Sequence, residues 1–223
     1  MTSGEGGGLQ LKELSEQTGV PPASIKFYLR EGLLPAGKAI TATRAQYSAR
    51  HTSRLELIQA LRRVVGLNIA QIRKLLTLAD DGVPRLELLA AVQRTVLRLD
   101  EVGTEHGDIR TPAGDAVVRL RNWPDAPSDA RNALNAHVAL MESLNIPVTT
   151  ELLDAYSKAL DTIADLDIEA TTAPDDVNRL IMTAAVGMHL HSQLVLKLLA
   201  LAQASHAIRR YEDALSTTLP RQR

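Results

Sequence analysis

A basic and aromatic cluster near the N-terminus carries the clearest chemistry in this chain of 223 residues: Lys26, Phe27, Tyr28 and Arg30. Elsewhere the chain is poor in aromatic side chains, which make up 3% of its residues. On a helix, this set places cations and a hydroxyl near one exposed face. Cations neutralise phosphates, while polar and aromatic groups contact bases and sugars. The cluster therefore predicts a nucleic-acid-binding helix, with a core role for the two rings left open, above all for Phe27.

Two short helices separated by a tight turn are predicted around this cluster. The first begins at Leu9 and is closed by Gly19, because glycine tolerates the left-handed conformation of a helix end. The second begins at Pro22, whose missing amide would have no partner in the first helical turn. It runs to about Glu31 and is ended by Gly32. The order is helix, turn, helix, with a basic outer face on the second helix.

A hairpin and two supporting helices are predicted next. Small and β-branched residues after the second helix favour an extended hairpin that carries Lys38 and Arg44. Ser48 and Asn68 are suitable N-caps for a third and a fourth helix, since both residue types accept hydrogen bonds from free helical amides. Residues 9–80 therefore predict a winged helix-turn-helix with two supporting helices.

Two segments of this region, LKELSEQTGVPPASIKFYLREGLLPAG and YSARHTSRLELIQALRRVVGLNIAQIRKLL, resemble the DNA-binding domain of MerR-family (mercury-resistance-type) transcription regulators. The shared features are the Thr-Gly-Val turn, the basic-aromatic-Tyr triplet, the following Gly-Leu-Leu-Pro, the Tyr-Ser helix start and the Gly-Leu-Asn-Ile joint. The resemblance covers about a third of the chain, roughly residues 9–79. It implies a homodimer that binds a pseudo-palindromic operator in double-stranded DNA. It further implies distortion of the promoter that realigns its elements for RNA polymerase.

The resemblance also implies roles for individual residues. Four positions of the second helix match the family's recognition helix, and Tyr47 matches the second tyrosine of its wing. The wing departs from the family pattern because Ala45 occupies the usual arginine position, so Arg44 is the candidate for the phosphate contact. With two further cations of the same surface, the predicted DNA-binding residues are Ser24, Lys26, Phe27, Tyr28, Arg30, Lys38, Arg44 and Tyr47.

Charge is divided unevenly along the chain. Residues 1–80 hold 11 Lys and Arg against 6 Asp and Glu, a net of +5, whereas residues 81–223 hold 14 against 20, a net of −6. A basic N-terminal part suits a nucleic-acid partner, although charge alone is equally consistent with chance segregation onto two solvated surfaces. The absence of cysteine excludes disulfides and thiolate metal sites and fits a reducing compartment.

No targeting or membrane-spanning segment is predicted. The Gly-rich start, residues 1–8, lacks the basic and apolar regions of a signal peptide and is expected to be a disordered tail. No uninterrupted apolar run reaches the roughly 18 to 20 residues that cross a bilayer. We therefore expect a cytoplasmic protein without a membrane partner.

A dimerisation helix is predicted at residues 84–103, which Pro84 can open. Its apolar residues follow the 3-4-3 spacing of a short coiled-coil seam. The seam residues are Leu89, Val92, Val96 and Leu99. The alternative is an ordinary helix packed within one chain.

The remaining sequence predicts an all-α bundle. Residues 104–127 suggest a linker with a short helix, and residues 128–217 a helical domain for an effector or a partner, with a break in its last helix around Gly187 to Ser192. The candidate effector-binding residues are Trp123, Tyr156, Met188 and His191. Methionine at helical spacing is more often core filler, so a domain without a small ligand stays an alternative.

No enzymatic, metal or cofactor site is expected. The chain lacks a Gly-rich phosphate loop, a His-Glu-x-x-His motif and a Gly-x-Ser-x-Gly motif. His189 and His191 diverge by about 200° on a helix, which prevents them from easily holding one ion. The sequence thus predicts a mainly α, sequence-specific transcription regulator. The alternatives are an architectural DNA-bending protein and a regulator whose helical domain binds only a protein.

Overall fold

The computed structural model describes residues 8–41, 44–99, 113–124, 128–169 and 176–218. The N-terminal part contains α1 (Leu11–Thr18), α2 (Pro22–Arg30), β1 (Lys38–Thr41), β2 (Arg44–Gln46), α3 (Ala49–Ala60), a π-helical turn (Leu61–Val65) and α4 (Ile69–Asp80). It is followed by α5 (Arg85–Val96), α6 (Ala113–Arg121), α7 (Asp129–Ser143), α8 (Thr150–Glu169) and α9 (Val177–Thr218). The mainly α fold with a small hairpin wing is confirmed. Most of the predicted tail, the last four residues of the predicted dimerisation helix (100–103), and residues 104–112 and 125–127 of the predicted linker lie outside the described residues.

The helix-turn-helix is held by local caps and one long-range hydrogen bond. Gln10 and Glu13 form a reciprocal capping box at the start of α1, with Gln10 N donating to Glu13 Oε2 at 2.7 Å. Gly19 closes the helix at φ 65°, the left-handed conformation that the sequence predicted. Gln59 Nε2 of α3 donates to Thr18 O at 2.9 Å, which fixes the end of α1 against the supporting helix. The hydrogen bond from Gln59 therefore supports the turn between α1 and α2.

The wing is a two-stranded antiparallel hairpin anchored at its base. Lys38 pairs with Gln46, and the register shifts between Ala39 and Thr41. Below the strands, Leu9 and Tyr47 exchange two backbone hydrogen bonds of 2.7 and 2.8 Å, which ties the start of the domain to the wing.

Helix α3 continues into a π-helical turn before the chain reverses at Gly66. The wider turn inserts a residue into the helical repeat, so Leu61 and Val65 are buried while Val64 is exposed. Asn68 then caps α4 as predicted, accepting a hydrogen bond of 2.9 Å from Gln71 N.

One apolar core joins the helix-turn-helix to α5 and to the beginning of α9. Leu55 and Ile58 of α3, Val92 of α5, and Ile181 and Ala184 of α9 belong to the same buried cluster. Helix α9 packs against α3, the π-helical turn and α5. The last helix thus contributes directly to the core beneath the DNA-binding elements.

The start of α9 is fixed to α3 by Asp176. Its carboxylate accepts a hydrogen bond of 2.6 Å from Ser53 Oγ and one of 2.9 Å from Asn178 N. From there α9 runs for 42 residues without interruption, so the predicted break near Gly187 was wrong. Helices tolerate a single glycine at a cost of about 1 kcal/mol.

The segment Val177–Glu212 also meets a length-and-composition test for crossing a membrane. Core helices of soluble proteins pass the same test, so this is weak evidence for a membrane location.

Helices α6, α7 and α8 pack together beside this core. Gly114 N donates to Asn135 Oδ1 at 2.7 Å, and Arg121 forms an ion pair with Asp154 of α8. An ion pair of 3.0 Å between Arg94 of α5 and an aspartate of α7 connects the three helices to the core.

Candidate nucleic-acid interface

Helix α2 buries one face and exposes a cationic one. Ile25 and the ring of Tyr28 are directed into the core, with 0% and 4% of their surfaces exposed. Lys26 and Arg30 lie on the exposed side of the same helix. Because a major-groove helix needs cations on its outer face and apolar anchors on its inner face, this distribution suits DNA binding.

Phe27 lies between the two faces. It is half-buried against the core and contacts the ring of Tyr28 edge-on, with 5.7 Å between ring centroids. The guanidinium carbon of Arg30 lies 5.4 Å from the centroid of the Phe27 ring. This cation–π contact holds Arg30 along the helix surface.

Tyr28 offers only its hydroxyl to the surface. Arg62 Nη1 donates a hydrogen bond of 3.0 Å to the Tyr28 oxygen, which links the π-helical turn to α2. The ring packs in the core, as the alternative interpretation of the aromatic pair stated. Direct contact of Tyr28 with a base or phosphate is therefore limited to one oxygen.

A polar cleft of about 320 Å³ opens beside this hydrogen bond. Its lining residues come from the turn before α2, from α2 itself and from the end of α3: Val20, Pro21, Ser24, Tyr28, Gln59, Arg62 and Arg63. Two guanidinium groups and two hydroxyls provide donors of the type that bind phosphate oxygens.

The sequence analysis missed both arginines of this cleft. In sequence, an adjacent Arg-Arg pair on a supporting helix looks the same as ordinary cations on a solvent-exposed helix face. Their position beside α2 depends on the π-helical turn, which wraps Leu61–Val65 and is closed by Gly66 in the left-handed conformation at φ 80°. The sequence signal for their position was an arginine pair followed by two valines and Gly66.

The wing residues divide between surface and core. Lys38 and Arg44 are exposed on β1 and β2. Tyr47 is 6% exposed and packs edge-on against His51, with centroids 5.2 Å apart. It closes the base of the wing.

Comparison with known families decides the assignment of this region. The family model described as MerR HTH family regulatory protein matches residues 9–78. Residues 9–78 are a MerR-type domain. The recognition from sequence is thereby confirmed over this part of the chain, and the individual DNA-binding residues stay predictions.

Solved structures extend the comparison beyond the MerR-type domain. The crystal structure of SCO5550 from Streptomyces coelicolor A3(2), described as a candidate transcriptional regulator, is 28% identical with a TM-score of 0.63. That likeness covers 91% of this chain and 98% of that one. The lead(II) complex of the transcription regulator PbrR691 from Ralstonia metallidurans CH34 is 24% identical with a TM-score of 0.36. It covers 56% of this chain and 98% of that one. No curated protein sequence gives a significant match. The MerR-type domain and the likeness to the SCO5550 structure support a DNA-binding transcription regulator.

The predicted dimerisation residues lie in the segment that follows the MerR-type domain in the chain. Val92 is fully buried and Val96 nearly so, both in the cluster shared with α9, and Leu89 packs partly against that cluster. Helix α5 ends at Val96, and Leu99 therefore lies beyond it. Leu89, Val92 and Val96 of the predicted seam therefore pack against other helices of the same chain.

The four candidate effector residues lie on α8, on α9 and in the segment after α6. Trp123 Nε1 donates a hydrogen bond of 2.6 Å to Asp161 Oδ1 of α8. His191 Nδ1 of α9 lies 2.5 Å from Asp167 Oδ1, which also belongs to α8. Tyr156 is exposed on α8, while Met188 packs partly against the core. None of the four lines the cleft beside α2. Among the described residues, no group of three or more His, Cys, Asp or Glu side chains could hold a metal ion.

Proposed function

We propose that this chain is a sequence-specific transcription regulator that binds a pseudo-palindromic operator as a homodimer through its MerR-type domain. The observation that carries the proposal is the exposed position of Lys26 on α2, the helix whose Ser24 and Tyr28 line the cleft together with Arg62 and Arg63. A helix in the major groove contacts base edges, while cations beside it bind the flanking phosphates.

The cleft suits a phosphate of the DNA backbone. Ser24 of α2 contributes a hydroxyl to its lining, and Arg62 and Arg63 contribute guanidinium groups. Charge-assisted hydrogen bonds from Arg to phosphate are about twice as strong as neutral ones. In this proposal the cleft sets register and orientation, whereas Lys26 supplies contacts that depend on sequence.

Promoter distortion is the proposed mode of action. Two domains bound to one operator can untwist or kink the DNA between promoter elements, which realigns those elements for RNA polymerase. Flexible pyrimidine–purine steps lower the cost of such a deformation.

The helical part formed by α6, α7 and α8 is proposed to receive an effector or a protein partner. The hydrogen bond of Trp123 connects the segment after α6 to α8, and the contact of His191 connects α9 to α8. A ligand that competes for Asp161 or Asp167 would change the packing of these helices. Regulators of this family are generally not enzymes, and we propose no reaction.

Footprinting on the DNA upstream of the protein's own gene tests the proposal. The salt concentration is held fixed, and a chemical probe reports unstacked bases. We expect a compact, symmetric footprint with a hyper-reactive centre. Diffuse protection that is sensitive to salt and lacks a centre would instead identify an architectural DNA-bending protein. Thermal stabilisation by a small molecule would argue against a domain that binds only proteins.

A further inference from the structure

The wing displays an isoleucine between two cations. Ile40 of β1 has 57% of its surface exposed. Lys38, two residues earlier on the same strand, and Arg44, at the start of β2, are exposed as well. A single exposed apolar side chain is common on protein surfaces and needs no partner. The setting of Ile40 in the hairpin is what gives this one a meaning.

A register shift in the wing sets Ile40 apart from its neighbours. Ala39 pairs with Ala45 and Thr41 pairs with Arg44, which leaves Ile40 without a partner across the hairpin. An extra residue of this kind bends its strand, increases the local twist and re-aims a side chain, and such bulges are frequent next to functional sites. The bulge therefore makes Ile40 the side chain that the first strand presents.

The region around the wing carries positive charge and no carboxylate. Residues 32–55 contain four Lys and Arg and no Asp or Glu. Two of these cations, Arg50 and Arg54, form ion pairs with Asp80 of α4. Lys38 and Arg44 form no ion pair within the part of the chain that the structure describes. Two uncompensated cations on one hairpin are complementary to a polyanion.

The base of the wing is fixed to α2 and to the start of the domain. Leu34, which is buried just before the hairpin, donates a backbone hydrogen bond of 3.2 Å to Tyr28 O of α2. At the other end of the hairpin, Gln46 Nε2 donates a hydrogen bond of 3.0 Å to Gly8 O. A domain that places α2 in the major groove therefore also holds this hairpin against the same duplex.

The arrangement of one apolar and two cationic side chains matches the cross-section of a DNA minor groove. Lys38 and Arg44 lie two ladder steps apart on facing strands, which gives roughly 8 Å between their Cα atoms at about 3.4 Å per residue and about 5 Å between strands. The minor groove is about 6 Å wide, so the two cations can reach phosphates on its opposite edges. Ile40 cannot bind a phosphate. The sugars and the groove floor between the two edges offer it the apolar contact that it needs.

We propose that the wing enters the minor groove beside the operator half-site and that Ile40 is a specificity-determining residue that favours A·T pairs there. The inference rests on the proposed function and adds a second reading site to it. Guanine alone places an amino group, N2, in the minor groove. An isoleucine packed against that group would leave a donor without a partner, which is costly, whereas A·T pairs present no donor there. Apolar side chains inserted in this groove also help to kink the duplex, which suits the proposed distortion.

Binding to three alternating duplexes tests the inference without an operator. The duplexes contain only A·T, only inosine–cytosine (I·C) or only G·C pairs. Inosine is guanine without the N2 amino group, so I·C and G·C present the same groups in the major groove and differ in the minor groove. We expect the wild type to bind the I·C duplex about 5-fold or more tightly than the G·C duplex, measured by fluorescence anisotropy at fixed salt. The A·T duplex should also be preferred to G·C.

Variants at one position separate reading by Ile40 from the properties of the duplexes. Ile40→Thr keeps the β-branched shape that suits a strand but places a hydroxyl in the contact, so it should abolish the preference for I·C over G·C. Ile40→Val remains apolar and should retain most of it. Lys38→Ala should weaken binding to all three duplexes by the same factor, because it removes a phosphate contact.

The control is Leu86→Ala, since Leu86 is 81% exposed on α5 and lies outside the wing. This variant should bind all three duplexes like the wild type. Urea titrations verify that each variant retains the stability of the wild type, which excludes loss of the fold as the cause of a changed preference.

Two results would overturn the inference. One is equal affinity of the wild type for the I·C and G·C duplexes, and the other is a preference that survives Ile40→Thr. Footprinting upstream of the protein's own gene separates these results from failure of the proposed function. A compact operator footprint without an I·C preference would refute the role of the wing alone. A preference that depends on Ile40, without a compact footprint, would support the minor-groove contact and refute the regulator.

Discussion

Arg62 Nη1 donates a hydrogen bond of 3.0 Å to the phenolic oxygen of Tyr28, and this contact joins the π-helical turn to α2. The Tyr28 ring is buried, whereas Arg62 is exposed and lines the polar cleft. A buried aromatic ring thus positions a surface cation. We propose that Tyr28 acts on DNA chiefly through Arg62.

Replacing Tyr28 with phenylalanine should weaken operator binding without unfolding the domain. The ring keeps its place in the core, but Arg62 loses its acceptor and samples other rotamers. A hydrogen bond to a charged group contributes about 1.5 to 3 kcal/mol, part of which water replaces at the surface. We expect a loss of about 1 kcal/mol in operator affinity, measured by fluorescence anisotropy at fixed salt.

A double-mutant cycle separates this role from direct DNA contact by Tyr28. If the tyrosine acts through Arg62, then Tyr28→Phe should have little further effect in an Arg62→Ala background. Additive losses would contradict the positioning role. Tyr156→Phe provides the control, because Tyr156 is exposed on α8, away from the cleft.

Replacing Lys26 with alanine should reduce operator affinity by about 1 to 3 kcal/mol. If Lys26 also neutralises a phosphate, the slope of log K against log salt should fall by about 0.9. Titrations at several salt concentrations measure both quantities. Lys158→Ala removes an exposed lysine from α8 and should change neither. Equal affinities for the Lys26 variant and the wild type would remove α2 from the interface.

The sequence predicted the helix-turn-helix well because its signals are local. Gly19 and Asn68 mark helix ends by backbone conformation and side-chain capping, and neither depends on distant residues. The polar cleft was not predictable in this way. It depends on a π-helical turn that brings Arg62 to Tyr28 from 34 positions away in sequence.

The course of α9 shows a second limit. Gly187 suggested a break, yet the first part of the helix is held by buried Ile181 and by the Asp176 cap, and helical hydrogen bonding continues past the glycine. The apolar spacing of α5 suggested a dimer seam, and the same spacing serves intrachain packing against α9. Periodicity identifies an apolar face but does not identify the element that covers it.

Replacing Gly37 with alanine should destabilise the wing. A Cβ at this position would lie 2.8 Å from the Gln46 carbonyl oxygen and 2.9 Å from Cε1 of the Tyr47 ring. Backbone or a packed ring must shift, which costs about 1 to 3 kcal/mol. We expect a lower free energy of unfolding in urea titrations and weaker DNA binding.

The matched control for Gly37→Ala is the same change at Gly187. There a new Cβ would meet no atom within 4 Å, and the backbone is helical. Alanine is better than glycine in a helix by about 0.5 to 1 kcal/mol, so this variant should be slightly more stable than the wild type. Equal destabilisation by both changes would mean that close contact at the wing is not the cause.

Replacing Val92 with aspartate should unfold the chain rather than separate a dimer. Val92 is 0% exposed in the cluster that α5 shares with α3 and α9, so the new carboxylate would be buried among apolar side chains. The expected cost is about 3 kcal/mol or more, which is a large part of the stability of a small domain. Loss of the helical circular dichroism signal at a reduced temperature, with aggregation instead of a discrete monomer, is the expected result. Leu86→Asp on the exposed side of the same helix should melt like the wild type. A folded, soluble Val92→Asp monomer would return the dimer seam to α5, because only an interface between chains can lose that contact and leave the fold intact.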